Sequence, residues 1–173
     1  MQILALATKM KKTTMIDGID INSFSTPITI RELQQTNCRD LPTRKGVYLI
    51  IRQDLSRPQF LKKSVAGWYK ALDPTYPQNF IISQWIDGAS VLYIGKAGGK
   101  KGLCQRLRQL VQFGLGEPVG HRGGRLIWHL KDNTALLVRW LESADKDPDR
   151  VETTLIRAFK GVHGRRPFAN FKK

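Results

Sequence analysis

Two short runs of β-branched and aromatic residues, each tied to a glycine, constrain the fold of this chain more than any other feature. Gly46 to Arg52 reads Gly-Val-Tyr-Leu-Ile-Ile-Arg, and Ser90 to Gly95 reads Ser-Val-Leu-Tyr-Ile-Gly. Such composition favours extended backbone, where branched side chains pack on a pleated surface. Side chains alternate across a strand, so Tyr48 shares a face with Ile50, and Tyr93 shares one with Val91 and Gly95. If the two strands pair, their tyrosines can project from the same side of one sheet. Between the runs lie about 37 residues that include Pro58, Pro74 and Pro77 with Trp68, Tyr69, Tyr76, Phe80 and Trp85. So many aromatics predict a folded insertion over about 53–89 rather than a linker.

The rest of the chain supplies partners for those strands. A short helix is expected after Thr29, where Ile30, Leu33 and Gln34 have helical spacing, and Pro42 closes that region. A flexible basic loop, Lys96 to Gly102, leads into a helix from about Leu103 to Phe113. Leu103, Leu107, Leu110 and Val111 lie on one face of it, and Gly114 and Gly116 end it. His121 to Leu130 is compatible with either helix or strand. Thr134 to Leu141 predicts a third strand. Asp147-Pro148 is an N-cap followed by proline at the first helical position, opening a helix to about Lys160 that buries Val151, Leu155, Ala158 and Phe159. The expected fold is therefore α/β (α+β): a small, mainly antiparallel three-stranded sheet flanked by helices, with an insertion between the first two strands. Residues 1–43 read as an N-terminal arm and short helix, with the part up to about residue 26 either a loosely ordered arm or an added strand, and 44–173 as the main domain.

Charge narrows the partners. The chain of 173 residues has 29 Lys and Arg against 14 Asp and Glu, a net charge of +15. An excess of that size attracts polyanions, of which nucleic acids are the commonest, although a solvated basic surface or an anionic membrane also suits it. No stretch approaches the roughly 20 apolar residues of a membrane span. The apolar patch at Ile3 to Ala7 lacks a basic segment before it and is too short for a signal peptide, so a cytoplasmic location is expected and no membrane partner. Cys38 and Cys104 form neither a disulfide framework nor a metal spacing, and both thiols read as structural.

Two side chains join the tyrosines as candidates for chemistry. Arg106 lies on the shoulder of the apolar arc of its helix, close to the direction of Leu110, from where its guanidinium can extend toward the sheet. Arg108 points nearly opposite, as a solvated charge does. Glu152 sits just outside the arc marked by Val151, Leu155 and Phe159, where a hard carboxylate oxygen suits Mg²⁺. Each residue alone also has an ordinary structural explanation: packing for a strand tyrosine, snorkelling for the arginine, and the helix dipole for the glutamate.

Together these pieces resemble the GIY-YIG nucleases, the family of excision-repair incision subunits and of some homing and restriction endonucleases. The matching residues are Gly46-Val47-Tyr48, Tyr93-Ile94-Gly95-Lys96-Ala97, Leu103-Cys104-Gln105-Arg106-Leu107, Glu152 with Leu155-Ile156, and Pro167-Phe168-Ala169-Asn170. They span about 44–171, in the order and on the elements that the family pattern requires. The resemblance implies a divalent-metal-dependent endonuclease acting on nucleic acid, with double-stranded DNA as the expected substrate. Tyr48 would be the general base or hold the attacking water, and Tyr93 would position water or phosphate. Lys96 would favour the tyrosinate by its charge, and Arg106 would stabilise the transition state. Glu152 would be the single protein ligand of Mg²⁺ or Mn²⁺, and Asn170 would brace the site.

The chain departs from the family pattern in the long gap between the first two motifs and in the longer loop before Arg106. The 18 residues from Glu152 to Asn170 are also more than expected. Some members carry His or Tyr four residues after the arginine, and here that position is Leu110. An auxiliary base must come from elsewhere, with Lys96 ahead of His121. The insertion is expected to recognise substrate or a partner and to be removable without unfolding the core. The alternative function is a catalytically inactive nucleic-acid-binding module of the same fold. Binding alone does not need Tyr48, Tyr93, Arg106 and Glu152 together.

Overall fold

The structure, a computed structural model, describes residues 14–121 and 123–170. Lys9, Lys11 and Lys12 of the arm, and Arg122, lie outside these. The fold is α+β, and the described residues form a two-stranded and a four-stranded antiparallel sheet and four α-helices. The strands are β1 (Met15–Ile16), β2 (Ile19–Asp20), β3 (Ile28–Thr29), β4 (Gly46–Ile51), β5 (Val91–Ala97) and β6 (Leu137–Glu142). The helices are α1 (Ile30–Thr36), α2 (Gln78–Gln84), α3 (Gly102–Gly114) and α4 (Pro148–His163), with 3-10 turns at Arg125–His129 and Asn133–Ala135. The larger sheet has the order β3-β6-β4-β5. The three strands expected from the sequence are its main members, and β3 adds a fourth at one edge. A two-residue strand carries no alternation to read, so it escapes a pattern argument.

β4 is central, and all six of its residues are buried. Layers cover both of its faces, which is why the strand reads as a continuous apolar run rather than an alternating one. On one face Val47, Leu49, Ile51, Val91 and Ile94 pack with Ile19, Ile21, Phe24, Ile156 and Phe159 from the β1-β2 segment and α4. On the other, Tyr48, Ile50 and Tyr93 pack with α1, α3 and the segment around Trp128. From Thr14 onward the N-terminal stretch thus takes the added-strand form of the two expected, packed on the main sheet. Asp17, at the tight turn between β1 and β2, accepts hydrogen bonds from the backbone N–H groups of Ser90 (2.8 Å) and Val91 (2.6 Å), and its other oxygen pairs with His163 Nε2 at 2.9 Å. One carboxylate ties the hairpin, the start of β5 and the end of α4.

Local signals set the helices. Thr29 and Glu32 form a capping box on α1, each side chain bonding the other's backbone N–H. Asp147 caps α4 with Pro148 at its first position, and Gly164 ends it in the left-handed region at φ 71°. The buried stripe of α4 is Pro148, Glu152, Ile156 and Phe159, while Val151, Leu155 and Ala158 are half-buried. The helix is therefore turned by about one residue, 100°, from the expected phase. Glu152 lies inside the stripe, not beside it.

The insertion is built into the core. Ala66 and Ile81 are buried in it, and Phe60, Tyr76, Phe80 and Trp85 pack against it. Its backbone bonds to the segment after α3: Leu61 N–H to the His129 carbonyl at 2.7 Å, Gly67 N–H to the Phe113 carbonyl at 2.8 Å, and Lys131 N–H to the Gln59 carbonyl at 2.9 Å. Arg52, at the insertion's start, is buried and donates to Asp132 at 2.7 Å and to the Ser56 carbonyl at 2.7 Å. The expectation that 53–89 is removable does not agree with this packing.

Candidate active site

The antiparallel register pairs Tyr48 with Gly95 and Ile50 with Tyr93. Residues 48, 50, 93 and 95 consequently share a face, and the two tyrosine rings meet with centroids 5.9 Å apart at 57°. Gly95 makes this possible. A Cβ there would lie 2.4 Å from Tyr48 Cζ and 2.7 Å from Tyr93 Cε1, closer than atoms tolerate. A Cβ on Gly123 would fall 1.9 Å from the Tyr93 hydroxyl, so the loop after His121 also closes on the ring by being side-chain-free.

His121 completes the cluster. It is fully buried, its ring lies 6.4 Å from that of Phe113, and Nε2 is 3.3 Å from the Tyr48 hydroxyl. Nδ1 turns toward the Gly123 backbone without closing a hydrogen bond of good geometry. Burial, helped by the Arg106 charge, holds the imidazole well below its ordinary pKa, so it is neutral. In the neutral tautomer with its proton on Nδ1, Nε2 accepts from the Tyr48 O–H. The sequence ranked His121 behind Lys96 for this position. The signal was there in the Gly123-Gly124 pair after it, which lets the loop fold onto Tyr93.

Burial raises the pKa of both tyrosines, but unequally. Against it at Tyr48 act the Arg106 guanidinium and hydrogen bonding from Tyr93 and Arg106, while the Glu152 carboxylate adds a little to the rise. Tyr93 goes well above the ordinary phenol value, through burial and then the repulsion of a Tyr48 anion. Arg106 and the Tyr93 hydroxyl both favour a Tyr48 anion, whereas a Tyr48 anion disfavours ionisation of Tyr93.

Arg106 is half-buried on α3, and its guanidinium reaches Gln109 Oε1 at 3.4 Å as well as acting on the tyrosine pair. Lys96 does not do what was expected of it. It follows Gly95 on the strand and so points to the opposite face, where Nζ pairs with Asp149 Oδ1 and lies 3.4 Å from Glu152 Oε2. Burial pulls its ammonium down, yet the two carboxylates more than offset this and raise it. The cation felt at Tyr48 is Arg106. Lys96 instead orients the α4 carboxylates.

Glu152 is 6% exposed, and its charge is felt at both tyrosines. Its carboxylate is a hard oxygen donor held beside Lys96, with its charge reaching the tyrosine pair. Among the described residues no group of three or more His, Cys, Asp or Glu forms a cage. One carboxylate with water in the remaining positions is the donor set that Mg²⁺ commonly takes, so the residues fit that ion or Mn²⁺. Asn170 spans the backbone of Ile94: Oδ1 accepts from its N–H at 2.8 Å and Nδ2 donates to its carbonyl at 2.7 Å. With Ala169 N–H on the Leu92 carbonyl at 2.8 Å, the chain's end braces the edge strand on both sides of Tyr93. Phe168, seated against Phe60 and Trp85, anchors this brace to the insertion.

The thiols are out of reach of chemistry. Cys38 and Cys104 are free and buried, and burial pushes the Cys38 thiol up to about 12. Arg108 is not the solvated charge expected, since its Nε donates to the Asn37 carbonyl at 3.0 Å and joins α3 to the end of α1. No helix among the described residues is long and apolar enough to cross a membrane.

The buried histidines carry a pH consequence. His121 and His129 both have lowered pKa values, so between those values and the ordinary 6.5 or so of the unfolded chain only the unfolded chain takes up protons there. Stability is then greatest above that range and falls as pH drops through it. Thermal unfolding followed from pH 7.5 to 5 is expected to show a decreasing midpoint, flatter in His121→Gln. A constant midpoint in the parent protein would contradict a neutral buried imidazole.

Comparison with protein-family models, with curated proteins and with solved structures found no match.

Proposed function

We propose that the chain is a divalent-metal-dependent endonuclease that hydrolyses phosphodiester bonds in nucleic acid, with DNA as substrate. The observation that carries this is the meeting of two buried tyrosines with Arg106, His121 and Glu152 at one end of the sheet. A packing role alone explains a tyrosine pair, but not a neutral histidine on one hydroxyl together with a cation and a carboxylate acting on both rings. The resemblance of these residues to the GIY-YIG motifs supports the same reading.

In this mechanism Tyr48 takes a proton from the attacking water while passing its own to His121 Nε2. Tyr93 remains protonated and donates to water or a phosphate oxygen. Arg106 stabilises the negative charge that builds on the phosphorus-bound oxygens, a contribution that is large in a dry site. Glu152, oriented by Lys96, would hold Mg²⁺ or Mn²⁺, which supplies Lewis-acid stabilisation of the phosphate and leaving oxygen when bound. Asn170 keeps Tyr93 in place by bracing Ile94.

The charge of +15 supplies affinity. Lys100, Lys101 and Arg165 are exposed, and Arg125 and Arg166 half-exposed. Releasing counterions from several phosphates makes affinity fall steeply with salt. Binding to duplex DNA in EDTA is expected to weaken more than tenfold between low and physiological salt. With Mg²⁺ added, plasmid or linear DNA is expected to be cut. Flat salt dependence would count against a nucleic-acid partner. Salt-dependent binding without cleavage of DNA or RNA would leave the inactive binding module as the function.

A further inference from the structure

Midway along the insertion is a tight turn whose tip no catalytic role uses. Leu72 N–H bonds the Tyr69 carbonyl at 3.1 Å, and the two residues between, Lys70 and Ala71, have φ of 53° and 58°. Glycine or asparagine ordinarily takes such positions, because a Cβ in the left-handed region is disfavoured. Strain of this kind persists where the surroundings hold it, and often where function requires it. The base of the turn is held hard. Gly67 is seated so close to the end of α3 that a Cβ would lie 2.0 Å from the Glu117 carbonyl oxygen, and the Tyr69 ring lies 3.2 Å from where a Gly120 Cβ would be.

From this rigid base Trp68 projects 59% exposed, with Leu72 52% exposed across the turn. Lys70 Nζ stands 5.6 Å from the Tyr69 ring centroid, and Lys62 and Lys63 are exposed on the approach. Asp73, the acid beside them, has its carboxylate turned to the Thr75 N–H at 2.8 Å. An exposed indole, an apolar neighbour and three ammonium groups suit a partner that carries both negative charge and flat apolar faces. A nucleic acid has both. Position adds the decisive point. Tyr69 touches Gly120, and the next residue is His121, whose imidazole faces the Tyr48 hydroxyl.

We propose that Trp68 is a stacking platform for an unpaired nucleobase next to the scissile phosphate, with Leu72 as an apolar wedge and Lys62, Lys63 and Lys70 on the flanking phosphates. This rests on the nuclease reading for the place of cleavage but not for the stacking itself. The preferred substrate is then DNA with a single-stranded, gapped or bulged segment rather than an intact duplex. A preorganised ring loses little freedom on binding, and side-chain stacking tolerates any base.

The test is binding of the full chain in EDTA to three probes: a single-stranded oligonucleotide, a duplex with one bulged base, and the same duplex without the bulge. Trp68→Ala is expected to weaken binding to the first two about tenfold or more, to leave the intact duplex nearly unchanged, and to be rescued by Trp68→Phe. Tryptophan emission should be quenched by the first two probes in the parent protein and far less in Trp68→Ala. Equal affinity of parent and Trp68→Ala for every probe overturns the proposal. So does equal weakening on all three, or concentration-dependent dimerisation that Trp68→Ala abolishes. Cleavage with Mg²⁺ is scored separately. Stacking without cleavage removes the nuclease reading alone, and cleavage with Trp68 silent removes the platform alone.

Discussion

Glu152→Gln is expected to abolish metal-dependent cleavage while leaving binding to DNA intact. Gln keeps the shape of the side chain but loses the anionic oxygen that a hard cation requires. The neighbouring carboxylate, Asp149, is already engaged by the Lys96 ammonium. Arg106→Ala is expected to slow cleavage about 10²–10³-fold, the usual consequence of losing donors aimed at developing charge. Neither change should weaken ground-state binding comparably, since both act on charge that exists only in the transition state or on the metal. Stability also separates the two roles. Lys96 keeps Asp149 as a partner when Glu152 is neutralised, and Gln fills the same buried space, so the fold should be retained. Arg157→Ala, exposed on α4, is the matched control for loss of one charge. Arg108→Ala does not serve, because that side chain joins α1 to α3. Single-turnover cleavage, a binding titration and a thermal melt on the same variants decide the matter. Cleavage surviving in Glu152→Gln, or lost to the same degree in Arg157→Ala, would sink the site.

The readable parts of this molecule were those where one residue type has one physical use. Val47 to Ile51 and Val91 to Ile94 read as strands because branched side chains in unbroken runs have few other places to go. Thr29 with Glu32, and Asp147 with Pro148, read as helix starts because their side chains satisfy orphan N–H groups. The shared face of Tyr48 and Tyr93 followed from strand alternation, once pairing was assumed. What escaped was polarity in apolar places. Glu152 occupies a core position of α4, and an amphipathic count moves any carboxylate to the outer face, so the helix was read out of phase by one residue. His121 lies in a segment with no period at all, and its place depends on the glycines that let the loop fold over Tyr93. Lys96 is the motif residue next to the tyrosine face in sequence, but the alternation that puts Tyr93 and Gly95 on one face sends residue 96 to the other. The insertion hid for a different reason. Its one short helix and isolated bridges are assembled by contacts with distant residues, such as Phe60 against Phe168, which no local pattern records.

Replacing 53–89 with a short hairpin turn is expected to unfold the domain rather than narrow its substrate range. The segment contributes Phe60, Tyr76, Phe80, Ile81 and Trp85 to the larger core. Full burial of a side chain of that size is worth about 1.5–3 kcal/mol. Ile81 is fully buried and the four aromatics partly so, and together they supply a sizeable share of the roughly 5–15 kcal/mol that holds a domain of this size together. Removal would also bare Trp128 and Leu130, which are fully buried, and take the Leu61 and Gly67 N–H groups from the His129 and Phe113 carbonyls. The effect reaches the site through Phe168. Without Phe60 and Trp85 against it, Phe168 has less to hold it, and the Asn170 brace on Ile94 loosens with Tyr93 beside it. Circular dichroism, tryptophan emission and limited proteolysis of the shortened chain give the answer directly. A milder variant guards against a trivial failure of the new turn. Ile81→Ala leaves the chain length unchanged and is expected to cost about 2–5 kcal/mol, the range for deleting a buried aliphatic side chain. A shortened chain that melts cooperatively near the parent temperature, with Ile81→Ala close to neutral, would make the insertion an appended unit. Unfolding of the first with strong destabilisation in the second would make it part of the core that positions the catalytic face.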